Sequence, residues 1–163
     1  MSDRKARAAK DAAAGIKIIT KNKKAWHEYE IMDTWEAGLV LLGTEVKALR
    51  NGRVSMGDSY GEIRKGEAWI MKMHIGPYEM GNRENHDPFR PRKLLLNRRE
   101  IRKILPQVET RGLTLVPLKI YFKKGRIKLE IGLGRGKKIH DKRDSKAKKD
   151  VERRMAKELG KRS

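Results

Sequence analysis

The chain contains no cysteine, so disulfides and thiolate-ligated metal centres are excluded. That absence fits a reducing compartment. Apolar runs are short: none approaches the roughly 20 residues of a membrane-spanning helix. The first fifteen residues carry charge but no apolar stretch, which excludes a secretory signal there. The ingredients of catalysis are also scarce. Four histidines, His27, His74, His86 and His140, are scattered along the chain. There is no His-x-x-x-His, no nuclease-like pair of carboxylates and no phosphate-cradling P-loop. His86 and Asp87 are adjacent, but they lie in a proline-bounded stretch where turn formation is the simpler account. We expect neither an enzyme, nor a bound metal, nor a cofactor.

Negative charge is in short supply as well. Against 41 Lys and Arg stand only 21 Asp and Glu, for a formal net charge of +20 over 163 residues. Such an excess repels itself in a compact state and points to a polyanionic partner. Residues 1–15 carry +2, residues 16–133 carry +10 and residues 134–163 carry +8. The body is therefore basic in its own right. Nucleic acid fits better than a membrane, because a membrane-surface helix needs a bulky apolar face and the last thirty residues offer only Val151, Met155 and Leu159.

One stretch divides the chain. In Gly132-Leu-Gly-Arg-Gly-Lys-Lys-Ile-His-Asp-Lys-Arg143, glycines at 132, 134 and 136 precede Lys137, Lys138, His140, Asp141, Lys142 and Arg143. Glycine reaches backbone angles closed to other residues, so the alternation reads as a hinge between a globular body and a charged arm. The spacing lacks the dinucleotide-binding pattern.

Along the body, residues 16–20 and 26–31 read as strands, and 37–42 as a short buried strand. A helix should open near Thr44, with Glu45 in its first turn and Gly52 as its stop. Residues 58–63 and 67–75 read as a hairpin turning at Arg64-Lys65-Gly66. The glycine-, asparagine- and proline-rich connection 76–92 is long enough to be functional or mobile. A strand at 93–96 is followed by Asn97-Arg-Arg-Glu100, a capping box opening a helix with Ile101, Ile104 and Leu105 on one stripe. The clearest hairpin joins 113–122 to 127–133, with Val116, Leu118, Ile120 and Phe122 alternating on one strand and Ile127, Leu129, Ile131 and Leu133 on the other. Several short strands with a few short helices predict a mainly β, small, partly open barrel. We divide the chain into a flexible segment 1–15, a barrel 16–133 and a basic tail 134–163. The tail has a thin apolar stripe at four-residue spacing, which predicts disorder when free and helix when bound.

RNA is held by phosphate contacts together with bases stacked on aromatic, His or Arg side chains. Trp26, His27 and Tyr29, beside Asn22-Lys23-Lys24, could supply this, or could simply form a sheet face. Asn97 is either a helix cap or an RNA contact. The charges of the tail are either a solvated surface or a binding arm.

These residues form a pattern that resembles one family closely. Asn22-Lys-Lys-Ala-Trp-His-Glu-Tyr29, Glu36-Ala-Gly-Leu39, Gly43-Thr-Glu-Val-Lys-Ala-Leu-Arg50 and Asp58-Ser-Tyr60 match small protein B, the tmRNA-binding (SsrA-binding) proteins of bacteria. So do Asn85-His-Asp-Pro88, Arg92-Lys-Leu-Leu-Leu-Asn97, Gly112-Leu-Thr-Leu-Val-Pro-Leu118 and Gly136-Lys-Lys-Ile-His-Asp-Lys-Arg143. The matches run in order from about residue 16 to 143. Gly134 stands where the pattern suggests alanine, and Trp35 where it suggests Tyr or Phe.

The resemblance implies an OB-fold-like barrel with two or three short helices. It implies a cytoplasmic, non-enzymatic partner of tmRNA in trans-translation, the rescue of ribosomes stalled on mRNA without a stop codon. Such a protein holds the tRNA-like domain of tmRNA, meets elongation factor Tu indirectly through that RNA, and enters the empty ribosomal A site. Carried over by position, the RNA face comprises Asn22, His27, Glu36, Arg50, Leu95, Asn97 and Lys128. Glu36 can only accept hydrogen bonds, so it should meet base or ribose donors, or orient Arg50 or Lys128. The tail motif through Arg143 would occupy the decoding centre and mRNA channel. A general RNA chaperone or a ribosomal-type RNA-binding protein is the alternative reading of the same residues.

Overall fold

The computed structural model describes residues 6, 10, 15–80 and 85–161, with the backbone alone at 139–142, 144, 145 and 161. The expected flexible segment 1–15 thus lies almost wholly outside the described residues. The elements run β1 (Ile16–Lys21), α1 (Lys23–Glu28), β2 (Tyr29–Leu39), α2 (Gly43–Arg50), β3 (Val54–Ser55), β4 (Tyr60–Arg64), β5 (Glu67–Met71), β6 (His74–Ile75), β7 (Arg92–Leu95), α3 (Arg98–Glu109), β8 (Thr114–Lys123), β9 (Arg126–Gly136) and α4 (Ile139–Lys161).

The main sheet has the order β1-β8-β4-β5-β7-β2-β9, and β8 also pairs with β9. That second pairing joins the ends of the row into a closed ring of six antiparallel strands, with β1 attached alongside β8. Closure leaves few free edges, which is how a small β domain avoids edge-to-edge association. Inside lie Ala68, Ile70, Leu94, Leu115, Ile120, Leu129 and Ile131, all at most 2% exposed. The two hairpins turn on residue pairs with positive φ, Lys65 (49°) with Gly66 (74°) and Lys124 (50°) with Gly125 (76°). Paired positive φ is the type I′ geometry that matches the twist of the flanking strands.

Three local readings of the sequence change. Residues 26–28 belong to α1, not to a strand. Asn22 closes the start of that helix by accepting from the Ala25 N–H at 3.3 Å, and Ala25 is buried beneath it. The helix at 43–50 is capped two residues earlier than Thr44, at Leu42, whose N–H donates to Glu45 at 2.8 Å. Thr44 is spent elsewhere, on His86. On β8 a bulge between Pro117 and Lys119 breaks the alternation. Val116 and Leu118 consequently pack outside the barrel with Ala25, Tyr29 and Ile31, while Ile120 enters the main core.

The described parts of the connection 76–92 are pinned rather than loose. Arg92 is fully buried; it donates to Glu45, to the Met73 carbonyl and to the Pro88 carbonyl at 3.1 Å. Arg90 donates to the same Glu45. His86 bridges Thr44 and the Ile75 carbonyl, each at 2.9 Å. A carbonyl only accepts, so Nε2 carries the proton and Nδ1 accepts from the Thr44 hydroxyl. His86, followed in the sequence by Asp87, is a structural latch.

The glycines at 132, 134 and 136 do not form a hinge within this fold. All three lie in β9, opposite Thr34, Ile31 and Tyr29 of β2. A Cβ at Gly132 would stand 2.9 Å from Leu118 Cδ1, and one at Gly134 would stand 2.9 Å from Tyr29 Cβ. These two are small because neighbouring side chains cross the strand there. Gly136 has open space around it. The body therefore ends at Gly136, three residues later than the sequence suggests. Among the described residues no helix is long and apolar enough to cross a membrane, and no group of His, Asp and Glu is placed to hold a metal ion.

Candidate nucleic-acid interface

Strand register assembles the site. On β2, Gly38 faces Leu95 of β7 on one side and Lys128 of β9 on the other, and Lys128 in turn faces Tyr121 of β8. Residues opposite one another share a face, so Leu95, Gly38, Lys128 and Tyr121 form one row across four strands. The row lies outside the barrel, since the positions beside it, Leu94, Ala37, Leu129 and Ile120, are core. Glu36 is two residues before Gly38 and so belongs to the same face.

Gly38 matters here because a Cβ on it would stand 3.2 Å from the Cβ of Leu95. The bare backbone lets Leu95 lean over the strand, and the leucine remains 53% exposed, an apolar side chain displayed in the middle of a polar surface. Asn97 follows two residues later as the start of α3. Its N–H donates to the Glu100 carboxylate at 3.0 Å, while the residue itself is exposed. The helix cap and a free outward face thus coexist at Asn97.

Glu36 is held, though not by Arg50. The Tyr121 hydroxyl donates to it, and Lys123 Nζ approaches at 3.2 Å. Burial alone would raise its pKa. The hydrogen bonds from Tyr121 and Lys123, with the charges of Lys123 and Lys128, outweigh that and keep the carboxyl below its ordinary value. Glu36 therefore presents a fixed, ionised acceptor amid lysines. Lys119 completes the surface, 3.5 Å from Glu130 and with its ammonium 5.4 Å from the Tyr121 ring centre. Tyr121, Lys119 and Lys123 escaped the sequence reading; their alternation at 119, 121 and 123 was the available signal, obscured by the bulge just before it.

The remaining predicted residues stand elsewhere. Asn22 is a correction: it is 7% exposed, and its amide donates to the Pro117 carbonyl at 2.8 Å while its oxygen caps α1. Its side chain is used up inside the fold. His27 is half-buried on α1, and Arg50 is exposed in the last turn of α2. Leu95, Glu36, Lys128 and Asn97 thus come together through β7, β2 and β9, whereas His27 and Arg50 sit on separate helices.

The tail leaves the barrel against α1. The Lys137 N–H donates to the Glu28 carbonyl at 2.9 Å, and Lys137 Nζ donates to the Trp26 carbonyl at 3.3 Å. From Ile139 to Lys161 the chain is one helix, with Lys138, Arg143, Val151, Met155 and Leu159 exposed. The side chains of His140, Asp141 and Lys142 are outside the described set.

A small closed antiparallel barrel with a polar, lysine-bearing outer face and a basic helical arm defines a nucleic-acid-binding protein of the OB-like class. The SmpB protein family model matches residues 19–161, and the chain belongs to that family. It is 54% identical over 144 residues to an SsrA-binding protein of Desulfitobacterium hafniense, covering 88% of this chain and 92% of the relative. It is 54% identical over 143 residues to the SsrA-binding protein of Carboxydothermus hydrogenoformans, covering 88% and 96%. Among solved structures it resembles a chain described under "tmRNA-SmpB: a journey to the center of the bacterial ribosome", with 50% identity and a TM-score of 0.63, over 74% of this chain and 85% of that one.

Proposed function

We propose that this chain binds tmRNA through the outer face of its barrel and brings it to stalled ribosomes in trans-translation. One observation carries the reading. Glu36, Leu95 and Lys128, assigned to RNA from family resemblance and lying up to 92 positions apart in sequence, occupy adjoining sites of a single outer face. Lys128 with its neighbours Lys119 and Lys123 attracts phosphates, Leu95 offers an apolar contact, and Glu36 accepts from base or ribose donors. His27, Arg50 and Asn97 extend the contact. Asn22 supports it from within by fixing α1.

The protein acts as a cytoplasmic adaptor and not as an enzyme, without a cofactor, and meets elongation factor Tu through the RNA it holds. The tail swings after Lys137, the residue whose backbone and ammonium are bonded to α1. Already helical from Ile139 to Lys161 in the chain alone, it probes the empty decoding centre and mRNA channel with His140, Asp141, Lys142 and Arg143. Residues 137–163, with a net charge of +7, are suited to a channel walled by phosphates and are excluded when mRNA fills it.

The test is a binding competition between tmRNA and structured RNA of equal length at fixed salt. A clear preference for tmRNA supports the adaptor; equal affinity for both favours a general RNA chaperone or ribosomal-type binder.

A further inference from the structure

Between β7 and α3 lies a cleft of about 720 Å³, closed at one end by the β4–β5 turn. Its inner wall is apolar: Leu95 at the mouth, with Ile101 and Leu105 on the helix. Its rim is cationic. Lys65 stands on the turn, and Arg98 and Arg102 line the helix side. The rim's carboxylate, Glu67, is already engaged by Lys93 at 3.1 Å. Lys65, Arg98 and Arg102 have no ion-pair partner among the described residues.

This arrangement is unfavourable without a ligand. Arg98 and Arg102 are one turn apart on the same side of α3, where like charges repel. Arg98, in the first turn, also lies where the helix dipole disfavours a cation. Three unmatched cations around an apolar wall are complementary to a nucleotide taken out of a stack, which pairs a flat apolar base with flanking phosphates. The volume suits such a ligand.

We infer that the cleft receives one unstacked nucleotide of the bound RNA, its base against Leu95, Ile101 and Leu105 and its flanking phosphates on Lys65, Arg98 and Arg102. The inference rests on the RNA-binding reading above and extends the interface from the face of β2, β7, β8 and β9 onto α3.

The test uses the full chain with tmRNA as the probe, comparing wild type with R98A/R102A and with K65A. Each phosphate contact to an unstacked strand contributes a slope of about 0.7 in the salt dependence, or roughly fourfold in affinity near 0.15 M salt. The double variant should bind at least tenfold more weakly, with the slope reduced by about 1.4. In methyl NMR, Ile101 and Leu105 of the wild type should move upfield when RNA is added, because a base ring stacks over them. If the wild type binds tmRNA but the double variant keeps its affinity and slope, or the methyls do not move, the cleft assignment is overturned and the RNA-binding reading stands. If the wild type shows no preference for tmRNA, the RNA reading fails first and takes the cleft with it.

Discussion

The hydroxyl of Tyr121 on β8 donates to the carboxylate of Glu36 on β2, across the intervening strand β9. The bond reaches over the row that holds Lys128, so a residue placed on the RNA face by resemblance is fixed by one that the resemblance did not name.

Tyr121→Phe should leave the barrel folded and cost about 1 kcal/mol, while loosening Glu36 and weakening RNA binding. It should also change the response to acid. The Glu36 carboxyl is held below its unfolded value, so its contribution is present above about pH 4.3 and is lost as pH falls through the folded pKa. The wild type should therefore lose stability below about pH 4 more steeply than the variant. Denaturation midpoints from pH 7 down to pH 3 measure this; parallel curves would show that Tyr121 does not hold Glu36.

Breaking the buried pair beneath α2 should be far more damaging. Arg92 and Glu45 are both fully buried, and Arg92→Ala leaves the carboxylate with the Arg90 guanidinium and the Leu42 N–H. The cost should be about 3 kcal/mol, the lower end for a broken buried pair because Arg90 and the Leu42 N–H still meet the carboxylate, read by chemical denaturation. A loss under 1 kcal/mol would contradict the latch that pins residues 85–92.

Substituting the glycines separates packing from hinge. Gly132→Ala must displace Leu118 or Ile31 and should cost about 1–3 kcal/mol. Gly136→Ala meets open space and should change stability by less than about 0.5 kcal/mol. Equal, small effects at both positions would restore a hinge inside β9.

Asn22→Ala should destabilise by about 1–2 kcal/mol, the loss of a cap and of the bond to Pro117. Its RNA affinity per folded molecule should fall less than that of His27→Ala or Asn97→Ala. Thermal melts and binding on the same preparations compare them; a large affinity loss with unchanged stability would place Asn22 in the interface after all.

Much of this was legible because local rules agreed with the global fold. The hairpin joining 113–122 to 127–133 announced itself by alternation, and the barrel followed from the spacing of short strands. What failed was decided by long-range contacts. Nothing local distinguishes residues 26–28 as helix until the Asn22 amide finds the Pro117 carbonyl 95 residues away. The glycines of β9 look like a hinge until Leu118 and Tyr29 are seen crossing the strand. Glu36, Leu95 and Lys128 could be joined on one face only through the ladder itself.

The central claim is that the barrel holds the RNA while the tail carries out rescue. A chain ending after Lys138 retains all nine described strands and the Lys137 contacts to α1. Measured in one preparation, it should bind tmRNA to within several-fold of the full chain yet fail to support peptide tagging on stalled ribosomes. Near-normal tagging by that shortened chain would contradict the account.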